Sequence, residues 1–124
     1  MEFLVDQNIE KAFEISNLMV TVANQKRVLK EEYEQSLFFF QNGGIFKADN
    51  QTICYVKTVI ELLKESRAVI IDHNGTPIEI NDLPKFIESL LNVHFQANNA
   101  YFSKFDILKK SKNIKNILSL WQRV

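Results

Sequence analysis

Apolar residues recur along the first third of the chain in alternating steps of three and four. Positions 12, 15, 19, 22, 26, 29, 33, 36 and 40 read Ala12, Ile15, Met19, Val22, Lys26, Leu29, Tyr33, Ser36 and Phe40. Seven of the nine are apolar, which predicts an amphipathic helix with a sustained heptad seam. Neither Gly nor Pro occurs in residues 6–41; Asp6 offers an N-cap and Asn42-Gly43-Gly44 a C-terminal stop. A helix over 6–41 would be ~50 Å long. Lys26 and Ser36 interrupt its seam, and buried polar positions of that kind set register or oligomer state.

The next segments are shorter. Residues 44–48, Gly44-Ile45-Phe46-Lys47-Ala48, read as a strand, and Asp49 caps a second helix that runs to about Glu65. Ile53, Val56, Ile60 and Leu63 fall on one side of it, with Val59 and Leu62 widening the stripe. Two β-rich runs, Ala68-Val69-Ile70-Ile71 and Pro77-Ile78-Glu79-Ile80, flank His73-Asn74-Gly75-Thr76 and predict a hairpin over 68–80. Asn81 or Asp82 caps a third helix over 82–110, with Pro84 in its first turn. Its seam is Leu83, Ile87, Leu90, His94, Ala97, Tyr101, Phe105 and Leu108. A basic amphipathic tail occupies 111–124.

These elements predict a single α+β domain, mostly helical, over residues 1–124. The two long helices leave one small βαββ head at 44–80, so their seams are expected to pack antiparallel as a stalk. Both chain termini would then lie at the far end of the stalk.

Charge adds an asymmetry. The formal net charge is zero, yet residues 104–124 carry six lysines and arginines against Asp106, and the rest of the chain carries the balancing excess of acid. The single Cys54 cannot form an internal disulfide, which favours a reducing compartment. The start of the chain lacks the pattern of a signal peptide, and no apolar run approaches the ~20 residues of a membrane span. A cytoplasmic location, with no membrane partner, is the expectation.

No catalytic constellation emerges. A nucleophile needs a base in reach and a group to orient that base. Cys54 sits in an apolar helical stripe and reads as a buried, inert thiol. His73 belongs to a turn, and His94 lies on a helix seam as a hydrogen-bonded core or interface residue. The two histidines have no zinc-ligand spacing, and Asp72-His73-Asn74-Gly75 lacks the later ligands of a calcium loop. Glu31, Glu32 and Glu34 read as a solvated charge run. The chain is therefore expected to be non-enzymatic, without a metal or cofactor.

Surplus apolar surface points to association instead. Phe3, Leu4 and Val5 precede the expected first helix, and Ile114, Ile117, Leu118 and Trp121 form a stripe in the tail. In a stalk these two sets meet and either cap each other or form a patch for a partner or a second copy. Trp121 is the natural anchor. With ten Phe in the chain, neither long helix can bury all its apolar faces against the other, and a homo-oligomer or a protein partner is expected. The competing reading is nucleic-acid binding, with Lys104, Lys109, Lys110, Lys112 and Lys115 on phosphates. Scarce arginine, an acidic body and the lack of a base-reading motif oppose it.

The stretch from Asn42-Gly43-Gly44-Ile45-Phe46 through Ile71-Asp72-His73-Asn74-Gly75-Thr76-Pro77-Ile78-Glu79-Ile80 to Phe86 and Ala97-Asn98-Asn99-Ala100-Tyr101 resembles small uncharacterised proteins of large tailed bacteriophages, T4-like phages of marine bacteria among them. The resemblance implies a virion component, an assembly factor or a protein that acts on host machinery, in the host cytoplasm or the virion. It carries over no functional residues.

Overall fold

A computed structural model describes residues 2–110, with side chains from residue 8 onward. The chain is α+β: α1 (Glu2–Ser36), β1 (Phe38–Gln41), β2 (Gly44–Lys47), α2 (Asn50–Leu63), β3 (Ala68–Ile71), β4 (Pro77–Ile80) and α3 (Leu83–Lys109). It divides into two compact units, residues 32–100 on the one hand and residues 1–31 with 101–124 on the other.

The first helix departs from expectation at both ends. It starts at Glu2, so Phe3, Leu4 and Val5 lie within α1 and Asp6 is not its cap. It ends at Ser36, and the aromatic run expected in its last turns is strand β1. Asn42 and Gly43 both have positive φ, 52° and 81°, and the register pairs Gln41 with Gly44 and Phe38 with Lys47. This is a two-residue hairpin turn of the mirror-image type that Asn-Gly favours, rather than a helix cap. Three consecutive phenylalanines have modest helix propensity and strong strand propensity, so the turn and the run agree. Phe40 therefore leaves the helical seam, and the strand–helix pattern is ββαββ.

The second hairpin forms where expected, with Ala68 opposite Ile80 and Ile71 opposite Pro77. Pro77 opens its strand, where a missing N–H is tolerated. Its turn is of another kind. Gly75 alone has positive φ (82°), and its amide donates to the Asp72 carbonyl at 3.1 Å. That is a right-handed turn followed by one left-handed residue.

Within residues 32–100 one core joins the two hairpins to α2 and to the first turns of α3. Phe46, Ala48, Val56, Ile70, Ile80, Leu83, Phe86 and Leu90 are buried in it. Phe46 meets Phe86 edge to face at 4.9 Å, and Phe39 lies about 6 Å from both rings. Asp49 caps α2 by accepting from the Thr52 amide at 2.9 Å. Asp82 does the same for α3 through the Lys85 amide at 3.1 Å. Cys54 is exposed on α2, contrary to the buried thiol expected of it. The stripe that turns inward is Val56 and Val59, with Ile53 and Ile60 beside it.

In the other unit, Ile15 and Val22 of α1 and Leu108 of α3 are buried. Lys26, the polar break in the first seam, lies over the Phe105 ring at 5.7 Å, and Lys109 lies over the same ring at 5.3 Å. The seam thus accepts a cation by giving it an aromatic face. Among the described residues, no helix is long and apolar enough to cross a membrane.

Candidate interaction surface

Alternation along a strand gives each hairpin two faces. Inward go Phe39, Phe46, Ile70, Ile78 and Ile80, which close the core. Outward go Phe40, Val69 and Ile71, which are 79%, 58% and 62% exposed. An antiparallel sheet with one solvated face ordinarily carries polar residues there. Here three of the outward positions are aromatic or β-branched and exposed, and the ion pair of Arg67 with outward Glu79 at 2.7 Å borders them.

Backbone chemistry holds the two hairpins edge to edge. The Ile45 amide donates to the Asp72 carboxylate (Oδ2) at 3.0 Å. The Ile45 carbonyl accepts from the His73 amide at 2.8 Å. The other carboxylate oxygen of Asp72 accepts from the amides of Asn74 (3.0 Å) and Thr76 (2.8 Å). With three backbone amides bound to its carboxylate, two from its own turn and one from the neighbouring strand, Asp72 is buried and its carboxyl is held below the ordinary carboxylate range, first by the Ile45 amide. A carboxylate so saturated is a structural acceptor and has little left to offer a cation. Among the described residues no group of His, Cys, Asp and Glu could hold a metal ion.

Two further tethers fix this layer. The His73 ring packs edge-on against Phe38 at 4.7 Å. Gly44 sits so close to β4 that a Cβ there would come within 2.8 Å of Ile78 Cγ1. His73 is exposed in its turn, as expected. His94 is hydrogen-bonded, also as expected: its Nδ1 lies 2.9 Å from the Ala48 carbonyl and its Nε2 3.1 Å from the Asn98 amide group. Asn98 Oδ1 in turn accepts from the Tyr33 hydroxyl at 2.7 Å. Glu34 is no free member of a charge run, because it pairs with Lys47 at 2.8 Å.

The residues singled out from the sequence fare unevenly. Ile114, Ile117, Leu118, Trp121, Lys112 and Lys115 lie outside the described residues, as do the side chains of Phe3, Leu4 and Val5. Lys109 rests on Phe105, and Lys110 pairs with Asp106 at 2.9 Å. Lys104 walls a groove of about 520 Å³ with Thr21, Val28, Ile107 and Leu108. The outward faces of the helices do carry exposed apolar residues, Leu91 and Phe95 on α3 and Ile9, Phe13 and Val20 on α1. Of the outward hairpin residues, Phe40 is a seam position of the expected first helix, and Val69 and Ile71 carry no mark as a surface in the sequence. Period-two alternation through Ala68-Val69-Ile70-Ile71 was the signal available for them.

No protein-family model matches the chain, and neither does any curated protein or solved structure.

Proposed function

We propose that this chain is a non-enzymatic protein–protein interaction or assembly protein, and that the outward hairpin face of Phe40, Val69 and Ile71 is its contact. The exposure of these three residues carries the reading, because their inward neighbours already complete a core and leave the outer face without an internal role. Burying them would remove apolar surface from water at ~25 cal/mol per Å². A second copy or another protein of the same assembly fits such a face. A virion or assembly component of a phage is the setting that the sequence resemblance implies.

In the same proposal the long helices run antiparallel as a stalk from the hairpin head, supported by Lys26 of α1 over Phe105 of α3. Inhibition of a host protein would use the same face. Nucleic-acid binding through the lysines has less support, since Lys109 and Lys110 already have partners in the chain.

The test is the mass in solution, by light scattering, of the wild type and of a Phe40→Ser, Val69→Thr, Ile71→Thr variant. Threonine keeps the strand preference and removes the apolar contact. An oligomer that the variant loses supports the reading. A wild type that stays monomeric at every concentration removes self-association, and an oligomer unchanged in the variant places the contact elsewhere.

A further inference from the structure

The second hairpin leaves one edge open. Antiparallel pairs alternate between those that share hydrogen bonds and those whose backbone groups point away from each other. The bond from the Asp72 amide to the Thr76 carbonyl, 2.9 Å, fixes that alternation. Ile70 with Ile78 and Ala68 with Ile80 are therefore the bonded pairs, and Val69 with Glu79 and Ile71 with Pro77 the others. The amides and carbonyls of Val69 and Ile71 thus point off the outer edge of β3. Among the described residues no hydrogen bond reaches them.

The two outer edges of this hairpin are treated differently. On β4, Pro77 has no N–H to offer, and the Glu79 carbonyl accepts from the Asn42 side-chain amide at 3.5 Å. On β3, Ala68-Val69-Ile70-Ile71 carries no charge and no proline, and its register with β4 runs one to one without a bulge. The devices that keep an edge strand from pairing are absent from it. Both of its edge residues also expose their side chains. The outer edge of β1 differs again, because the ring of Phe38, one of its edge residues, is already engaged by His73 and Lys47.

We infer that β3 pairs antiparallel with β3 of a second copy, about a two-fold axis at Ile70. The inference rests on the outward hairpin face being a contact, and it names the occupant and how it is held. In the register centred on Ile70, Val69 lies opposite Ile71 of the second copy and Ile71 opposite its Val69. Both edge residues then donate and accept, and no edge group of either copy is left over. The same pairs set β-branched side chains side by side across the new ladder, on the outward face. Charge selects the direction. Arg67 comes to the end where the second copy carries Asp72, whereas a parallel pairing would set the two arginines side by side. The edges select a second copy over a foreign strand. A foreign strand brings a fresh open edge with it, but a second copy brings a hairpin whose far edge is β4, blunted by Pro77. The joined sheet, β4-β3-β3-β4, closes at two copies.

Light scattering and amide exchange followed by NMR test the pairing together in the full chain. The wild type is a dimer whose Val69 and Ile71 amides exchange slowly at high concentration and faster on dilution, while the Phe40 amide exchanges fast throughout. Ile71→Thr and Ile71→Pro both remove the isoleucine side chain, but only proline removes the N–H, and an edge strand tolerates it where that N–H faces outward. Ile71→Thr keeps the dimer, and Ile71→Pro is monomeric with the circular dichroism of the wild type. Equal dimerisation of the two variants overturns the pairing. So does a dimer whose Val69 and Ile71 amides exchange fast, or one that protects Phe40 instead. A dimer that survives Ile71→Pro and is lost in the Phe40→Ser, Val69→Thr, Ile71→Thr variant overturns the pairing alone and leaves the outward face as the contact. An oligomer that survives both counts against the pairing and the face together, and a wild type monomeric at every concentration overturns the pairing and leaves the face to another protein. Should Ile71→Pro lose its folded signal, the exchange pattern of the wild type decides by itself.

Discussion

Ile45 uses both of its backbone groups to reach the turn of the other hairpin, donating to the Asp72 carboxylate at 3.0 Å and accepting from the His73 amide at 2.8 Å. A side chain thus stands in for the carbonyl that a neighbouring strand would supply, and two separate two-stranded sheets act as one layer. The same carboxylate organises its own turn, so one residue fixes both the turn and the docking of the hairpins.

Ionisation of Asp72 should therefore appear in the acid stability of the protein. Its carboxyl is held below the ordinary value of 3.8, chiefly by the Ile45 amide and then by those of Thr76 and Asn74. A folded value lower than the unfolded one stabilises the fold above the unfolded value, and that stabilisation is lost as the pH falls through the folded value. Asp72→Asn turns a donor group toward one of these amides. Its urea midpoint should be lower than the wild type's at neutral pH and should fall less on acidification. An acid limb as steep as the wild type's would remove Asp72 as its source.

The alkaline side belongs to Lys47. Its ammonium is held above the ordinary value of 10.5, first by the hydrogen bond to Glu34 at 2.8 Å. A raised folded value stabilises the fold below the unfolded value and is lost as the pH rises through the folded one. Both side chains are partly solvated, so Glu34→Gln should cost only about 0–1 kcal/mol at neutral pH. Denaturant titrations of the two proteins should converge as the pH rises past the lysine range.

Gly44 should tolerate no side chain while Ile78 is present. A methyl group there meets Ile78 Cγ1 at 2.8 Å and Cδ1 at 3.2 Å, and overpacking of this kind costs about 1–3 kcal/mol. Gly44→Ala should be destabilising, and Ile78→Ala should relieve part of that loss. In a double-mutant cycle the coupling should be at least about 0.5 kcal/mol. Strict additivity would mean that the two positions do not touch.

Much of this architecture was legible because local chemistry and tertiary packing agree. Every seam position of α3, from Leu83 to Leu108, is at least partly buried. Asp49, Asp82 and Pro77 stand at the element starts their chemistry favours. The helix-to-strand change after Ser36 was not legible from periodicity, because Phe40 satisfies a three-four spacing and a two-residue alternation alike. The Asn-Gly pair was read as a hairpin at 74–75 and as a helix stop at 42–43, yet both pairs turn hairpins. Glycine serves either purpose, and only the pairing of Phe38–Gln41 with Gly44–Lys47 decides between them. Exposure was harder still. Cys54 and Val56 are near neighbours on one helix, but only Val56 faces the core. The outward hairpin face needed the inward one to be identified first.

A last prediction concerns the polar chain that runs from Tyr33 through Asn98 and His94 to Ala48. The Ala48 carbonyl can only accept, so His94 Nδ1 carries the proton, and Nε2 is then the acceptor of the Asn98 amide group. That orientation presents Asn98 Oδ1 to the Tyr33 hydroxyl. Long-range proton–nitrogen correlation spectra should show His94 as the Nδ1–H tautomer. Tyr33→Phe should cost about 0.5–1.5 kcal/mol, and Asn98→Ala about 1–3 kcal/mol, because it strips a partner from two groups at once. Once Asn98 is gone, the further change Tyr33→Phe should cost much less than it does alone, since the bond it removes no longer exists. Equal costs in both backgrounds, or the Nε2–H tautomer, would show that the four groups do not act as one chain.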